Sequence, residues 1–138
     1  MMNLELNKKL DDICTARCKD SKSISYSYLR IFAFDRDDFE ESFKEFFELD
    51  IDEIKLTESE ESFEEIFGTF LEKRNARRIV KGIRDICGME KNVYYDDCDL
   101  YELLEGASGG LSGFYFIEEI FFAEYDDSMV CYILGNNE

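Results

Sequence analysis

Histidine is absent from the 138 residues. Its absence removes Ser-His-Asp and Cys-His catalysis, His-ligated zinc and the commonest general base near neutral pH. Lysine and arginine are absent from residues 92–138, so the C-terminal third has nothing to hold a phosphate substrate or to complete a nuclease site. Met1-Met2-Asn3-Leu4-Glu5-Leu6-Asn7-Lys8-Lys9 lacks the apolar stretch of a secretory signal, and no apolar run is long enough to span a bilayer. A cytoplasmic protein with no membrane partner is expected. The cysteines, at 14, 18, 87, 98 and 131, are odd in number and contain no CxxC, which argues for reduced thiols and against a disulfide framework. Cys14 and Cys18 share one face of a predicted helix, but that face is its apolar stripe, so they read as small buried hydrophobes. Gly109 and Gly110 belong to neither a Walker nor a GxGxxG pattern and read as a flexible connector.

Carboxylates are abundant. Fifteen lie in residues 35–66 beside three bases, and eleven more lie in residues 92–138, for local net charges of −12 and −11; residues 1–34 and 67–91 carry +2 and +4. The whole chain carries −17 yet is 45% hydrophobic and 15% aromatic, so these acids belong to a folded surface and not to a solvated tail. Such a surface repels nucleic acid and anionic membranes and attracts basic proteins. Asp96, Asp97, Asp99, Glu118, Glu119, Asp126 and Asp127 are hard-metal ligands in type, but no EF-hand spacing joins them. They read as caps, turn residues and solvent-facing acids, and neither a metal nor a cofactor is expected. Glu118 and Glu119 stand apart, because strand neighbours point to opposite faces and both faces here are flanked by apolar residues. One of them should sit at an edge, on a bulge or against a partner.

Hydrophobic period outlines an α+β fold in a single domain over residues 1–138. Leu6, Leu10, Ile13, Cys14 and Cys18 mark a helix over 3–18. Residues 24–34 read as a strand that becomes buried on both faces. Asp35 is placed as N-cap of a helix over 36–48, with Asp37 and Asp38 in its first turn and Phe39, Phe43, Phe46 and Phe47 facing inward. A short linker or edge strand is expected near 51–56, and Thr57 with Glu60 suggests a capping box opening a helix over 58–72. The apolar set 76–87 points to the other side of a continued helix, which requires a break near Asn75 and a separate helix closed by Gly88. Lys73, Arg77, Lys81 and Arg84 form its outer stripe, expected to pair internally with acids or to make a rim contact. A strand over 92–95, a helix over 97–105 and a hairpin of 114–125 with 129–134 complete a small, mainly antiparallel sheet of three or four strands covered by four or five amphipathic helices.

Two acidic rows follow from these helices. Asp37, Asp38, Glu41, Glu45 and Glu48 form one outer stripe, and Glu58, Glu61 and Glu65 another. Carboxylates four residues apart rise by about 6 Å along a helix and oppose its formation, so their repetition suggests a binding surface whose complement is a basic groove normally occupied by DNA or RNA. With Glu118 and Glu119 at the hairpin edge, they make up the expected partner-binding set. In size and charge alone the chain resembles those phage anti-CRISPR and anti-restriction proteins that act as polyanion mimics. That likeness implies a non-enzymatic inhibitor occluding a basic protein, such as a nuclease or other nucleic-acid-binding effector, without touching nucleic acid itself. The alternatives are an immunity protein that neutralises a basic bacterial toxin, and a small enzyme or ligand-binding module with a pocket among Tyr94, Tyr95, Tyr101 and the final hairpin.

Overall fold

Strands with apolar residues on both faces need cover on both faces, and this requirement organises the molecule. The computed structural model describes residues 1–17, 27–96, 100–105 and 117–136. In chain order these form α1 (Leu4–Arg17), β1 (Ser27–Asp35), α2 (Phe39–Phe46), β2 (Leu56–Glu58), α3 (Phe63–Phe70), α4 (Lys73–Cys87), β3 (Asn92–Asp96), α5 (Leu100–Glu105), β4 (Ile117–Glu124) and β5 (Ser128–Asn136). The strands build one five-stranded sheet in the order β1-β5-β4-β3-β2. Every pairing is antiparallel. The fold is therefore α+β, with one strand more than the sequence suggested. No helix among the described residues is long and apolar enough to cross a membrane.

Alternate residues of each strand feed two separate cores. On one face, Leu29, Ile31, Ala33, Phe121, Ala123, Val130, Tyr132 and Leu134 pack with residues of α1, α3 and α4. On the other, Phe32, Phe34, Ile120, Phe122, Cys131 and Ile133 pack with residues of α2 and α5, and with partly buried Leu49, Ile51 and Ile54. The first core has a ring stack of Phe121 on Tyr132 at 5.0 Å, edged by Phe63 and Phe67. Its polar exception is a tyrosine pair: the Tyr125 and Tyr132 hydroxyls lie 2.9 Å apart and satisfy each other. Tyr132 is fully buried, so this bond replaces the water its hydroxyl has lost.

The β1 edge is closed near its end by the N-terminal segment. Met2 bridges Phe34, the Asn3 amide donates to the Ala33 carbonyl at 2.9 Å and the Asp35 amide donates to the Met1 carbonyl at 2.7 Å. Asn7, on α1, completes the closure with its side chain. Its Nδ2 donates to the Ala33 carbonyl at 2.8 Å, and its Oδ1 accepts from the Ala33 amide at 2.9 Å. An amide side chain thus serves as one more rung of the ladder and covers an edge that would otherwise invite another strand. Asn7→Ala strands a buried Ala33 amide and is expected to cost about 1–3 kcal/mol. Urea denaturation measures that loss, and faster hydrogen exchange at Ala33 locates it.

Several boundaries differ from the sequence reading, each for a local reason. Asp35 is not a helix cap: it is the last residue of β1, opposite Ser128, and α2 begins four residues later with Asp38 in the N-cap position, lacking a side-chain cap bond. Thr57 and Glu60 do not open a helix either. Thr57 pairs with Tyr95 in β2 and the Ser59 amide donates to the Val93 carbonyl at 2.8 Å. The cap is Ser62, whose hydroxyl accepts from the Glu65 amide at 3.1 Å. The break between α3 and α4 falls at Leu71 and Glu72, both extended, and not near Asn75, which lies within α4. Leu71 is buried, so the chain turns where an apolar side chain anchors it. Residues 18–26, 97–99 and 106–116 lie outside the described residues, and with them the predicted start of the first strand, the predicted start of the 97–105 helix, the Gly109-Gly110 connector, the start of the hairpin, Cys18 and Cys98.

Candidate protein-binding surface

The outer side of α2 is built from below by phenylalanine. Phe39 and Phe43 on the helix and Phe47 after it are buried against the sheet, and this leaves Glu41, Glu45 and Glu48 exposed on the other side. Glu41 and Glu45 lie on the helix itself, about 40° apart at 100° per residue, while Asp37 precedes its N-cap and Glu48 follows its C-cap. The helix stops at Phe47, and Glu48 takes a left-handed φ of 54°, a conformation a non-glycine residue adopts only under constraint. The constraint is visible: the Glu48 amide donates to the Glu45 carbonyl at 3.2 Å and the Leu49 amide to the Lys44 carbonyl at 2.8 Å.

The bases near this row are turned away from it. Lys44 donates from Nζ to the Asp52 carbonyl at 3.0 Å. Arg36 reaches Glu124 at 2.8 Å. Glu40, on the flank, accepts from the Ile54 amide at 2.7 Å and so fastens the segment after α2. Among the described residues, no ion pair involves Asp37, Glu41, Glu45 or Glu48. Asp38 is the exception in this row: it holds the N-terminal ammonium, a hydrogen bond that pulls its carboxyl below the ordinary aspartate value. Asp35, Asp37, Asp38 and Asp127 surround one open depression at the start of the helix. Asp35 and Asp127 were not part of the sequence-derived set. They enter because β1 and β5 end side by side, a proximity with no trace in linear spacing.

The second row is reorganised. Glu58 is a strand residue opposite Tyr94, Glu61 lies in the turn before the Ser62 cap, and only Glu65 stands on α3. The two rows also do not share a face: α2 covers one side of the sheet and α3 the other. Residues 35–66 therefore do not make one continuous acidic surface. α3 instead borders α4, and Glu61, Glu64 and Glu65 share a groove with Lys73 and Arg77.

Glu118 and Glu119 sit at a register shift between Ile117 and Glu119 in the β4–β5 ladder. Glu118 is the extra residue of that bulge and is exposed; Glu119 is half-buried. This is one of the placements that the apolar flanks demanded. Glu119 lines, with Ser59, Glu61, Ile66, Tyr95 and Phe121, a cavity of about 240 Å³. That is below the roughly 300–1,000 Å³ of small-molecule pockets. Tyr94 packs against the opposite core while its neighbour Tyr95 lines this cavity; the Tyr101 side chain is outside the described set. No cluster of three potential metal ligands occurs among the described residues.

Glu124 is a further acid that the pattern did not single out. It accepts from Asn92 Nδ2 at 3.0 Å and from the Tyr94 hydroxyl at 3.3 Å, and pairs with Arg36. The Asn92 bond, first among these, holds its carboxyl below the usual range. Its partners lie on β3 and in the loop after β1, and its role is to tie both to β4. Comparison with protein-family models, with curated proteins and with solved structures yields no match.

Proposed function

We propose that this protein is a non-enzymatic inhibitor that occludes a basic, nucleic-acid-handling protein with the outer face of α2, in the manner of a polyanion mimic. The observation that carries the reading is the group Asp37, Glu41, Glu45 and Glu48, exposed and, among the described residues, in no ion pair, carried by α2 and its two flanks over buried Phe39, Phe43 and Phe47. Carboxylates on a fixed support are pre-organised, so less conformational entropy is lost when a cationic groove closes on them. Their summed field, within a net charge of −17, steers encounter with a cationic partner and speeds it by about 10–10³-fold. A toxin-neutralising immunity protein would use the same face in the same way.

A pull-down from host lysate with wild-type protein and with Glu41→Lys/Glu45→Lys/Glu48→Lys tests the proposal. The wild type is expected to retain a basic nucleic-acid-binding protein that added DNA displaces. The triple variant, native by circular dichroism, is expected to lose it, with the association rate of the purified pair reduced by at least about tenfold. Equal retention by both proteins rejects α2 as the contact.

A further inference from the structure

Bases are the scarce charge in this chain, 16 against 33 acids, yet α4 leaves most of its own unused. Lys73, Arg74, Arg77, Arg78 and Lys81 are exposed, and among the described residues none of the five makes an ion pair; only Arg84 does, with Glu64 at 3.2 Å and Glu90 at 2.9 Å. At 100° per residue the five occupy an arc of about 140°, opposite buried Ala76, Ile79, Val80 and Ile83. Of the internal pairing or rim contact that the sequence suggested for this stripe, internal pairing is confined among the described residues to Arg84.

Beside the basic arc runs an acidic one. The groove between α3 and α4, about 560 Å³, has Glu61, Glu64 and Glu65 on one wall and Lys73 and Arg77 on the other. Its middle is open, since a side-chain carbon at Gly68 would meet nothing within 4 Å. A polyanion laid here would meet the α3 carboxylates as well as the α4 cations, and a basic protein would meet the reverse conflict. A surface satisfies both walls only if it carries the same two stripes in the opposite order.

We infer that this face binds a second copy of the chain in a two-fold dimer whose axis runs along the groove. Rotation about that axis sets the acidic stripe of each copy against the basic stripe of the other, so the contact is self-complementary and closes at two subunits. The net charge of the copies opposes approach, but at about 0.15 M ionic strength the screening length is about 8 Å, which leaves the facing stripes to decide the local sign. α2 lies on the other side of the sheet and stays exposed in both subunits. The dimer stands independently of what α2 binds.

A charge-swap cycle on the full chain, read by sedimentation equilibrium near 0.15 M salt, tests this. Wild type is expected to dimerise. Arg77→Glu/Lys81→Glu and Glu61→Lys/Glu65→Lys are each expected to weaken self-association by more than about tenfold, because like charges then face each other at both symmetric contacts. Mixing the two variants is expected to restore a dimer, since every facing pair is again opposite in sign. Lys73→Glu/Arg77→Glu, on the groove wall itself, provides a second basic-side variant should the first fail to fold, with circular dichroism as the check. A wild type that stays monomeric to about millimolar concentration, a dimer indifferent to these reversals, or variants that do not rescue each other would each overturn the assignment.

Discussion

Phe43→Ala is expected to cost about 3–5 kcal/mol of stability, the usual range for truncating a buried aromatic. Phe43 is 0% exposed and sits among four rings: Phe47 at 4.5 Å, Phe39 at 5.5 Å, and Phe34 and Phe122 at 5.6 Å each. Two of these partners belong to the sheet and two to α2 and its exit, so the ring is the joint between them. Its removal leaves a cavity that neighbouring aromatic rings, held in tilted and edge contacts, fill only in part. The urea midpoint should fall with little change in slope, and the melting temperature should drop by on the order of 10 °C. Association with a basic partner should weaken as well, although no charge has changed, because the carboxylates above lose their rigid support. A stability loss below about 1 kcal/mol would show that α2 is not held by this ring cluster.

Raising the pH above about 9 is expected to unfold the protein steeply. Burial pushes the Cys87 thiol from 9.0 up to about 11 and raises Cys131 well above the same ordinary value. Burial also raises Tyr125 and Tyr132 above the ordinary tyrosine value of 10.0. For each group the folded pKa exceeds the unfolded one. The unfolded chain therefore binds fewer protons in the interval between them, and unfolding free energy falls as pH rises. Below the ordinary values both states are protonated and stability is fully present. Each such group removes about 1.4 kcal/mol per pH unit within its own window, with the thiols acting from about pH 9 and the tyrosines joining them near pH 10. Three or four groups acting together are enough to exhaust the roughly 5–15 kcal/mol of an ordinary domain within a few pH units. Phenolate absorbance should then appear for these two tyrosines cooperatively with loss of structure, and Tyr125→Phe/Tyr132→Phe should flatten the upper part of the profile. An unfolding free energy constant from pH 8 to 11 would contradict the assignment.

The elements that were legible in the amino-acid order share one property: their signal is local and strong. The final hairpin announces itself by two apolar runs around Asp126-Asp127-Ser128, and the structure pairs Glu124 with Met129 directly across that turn. α4 shows a clean apolar stripe closed by Gly88, which takes a φ of 84° there. The bulge at Glu118 follows from two adjacent acids that no regular strand with two buried faces accommodates. The errors share a property too. Thr57 and Ser62 both precede a glutamate by three residues, so each offers a capping box. The choice between them was made by β3, whose edge recruits residues 56–58 as a strand. Asp35 has every attribute of an N-cap but lies opposite Ser128, ninety-odd residues away along the chain.

Composition and periodicity by themselves determined a folded α+β protein with phenylalanine-backed helices, a C-terminal hairpin and an acidic exterior without histidine chemistry. These properties depend on side-chain type and on spacings of two to four residues, which the chain carries wherever it folds. Which charges become neighbours was decided only by tertiary structure. The sheet separates α2 from α3 and parts two acidic rows that run together in the sequence, while the turn at Leu71 lays α4 beside α3 and brings opposite charges together. Electrostatic energy depends on distance in space and on solvent between the charges, and neither quantity is encoded in their order along the chain.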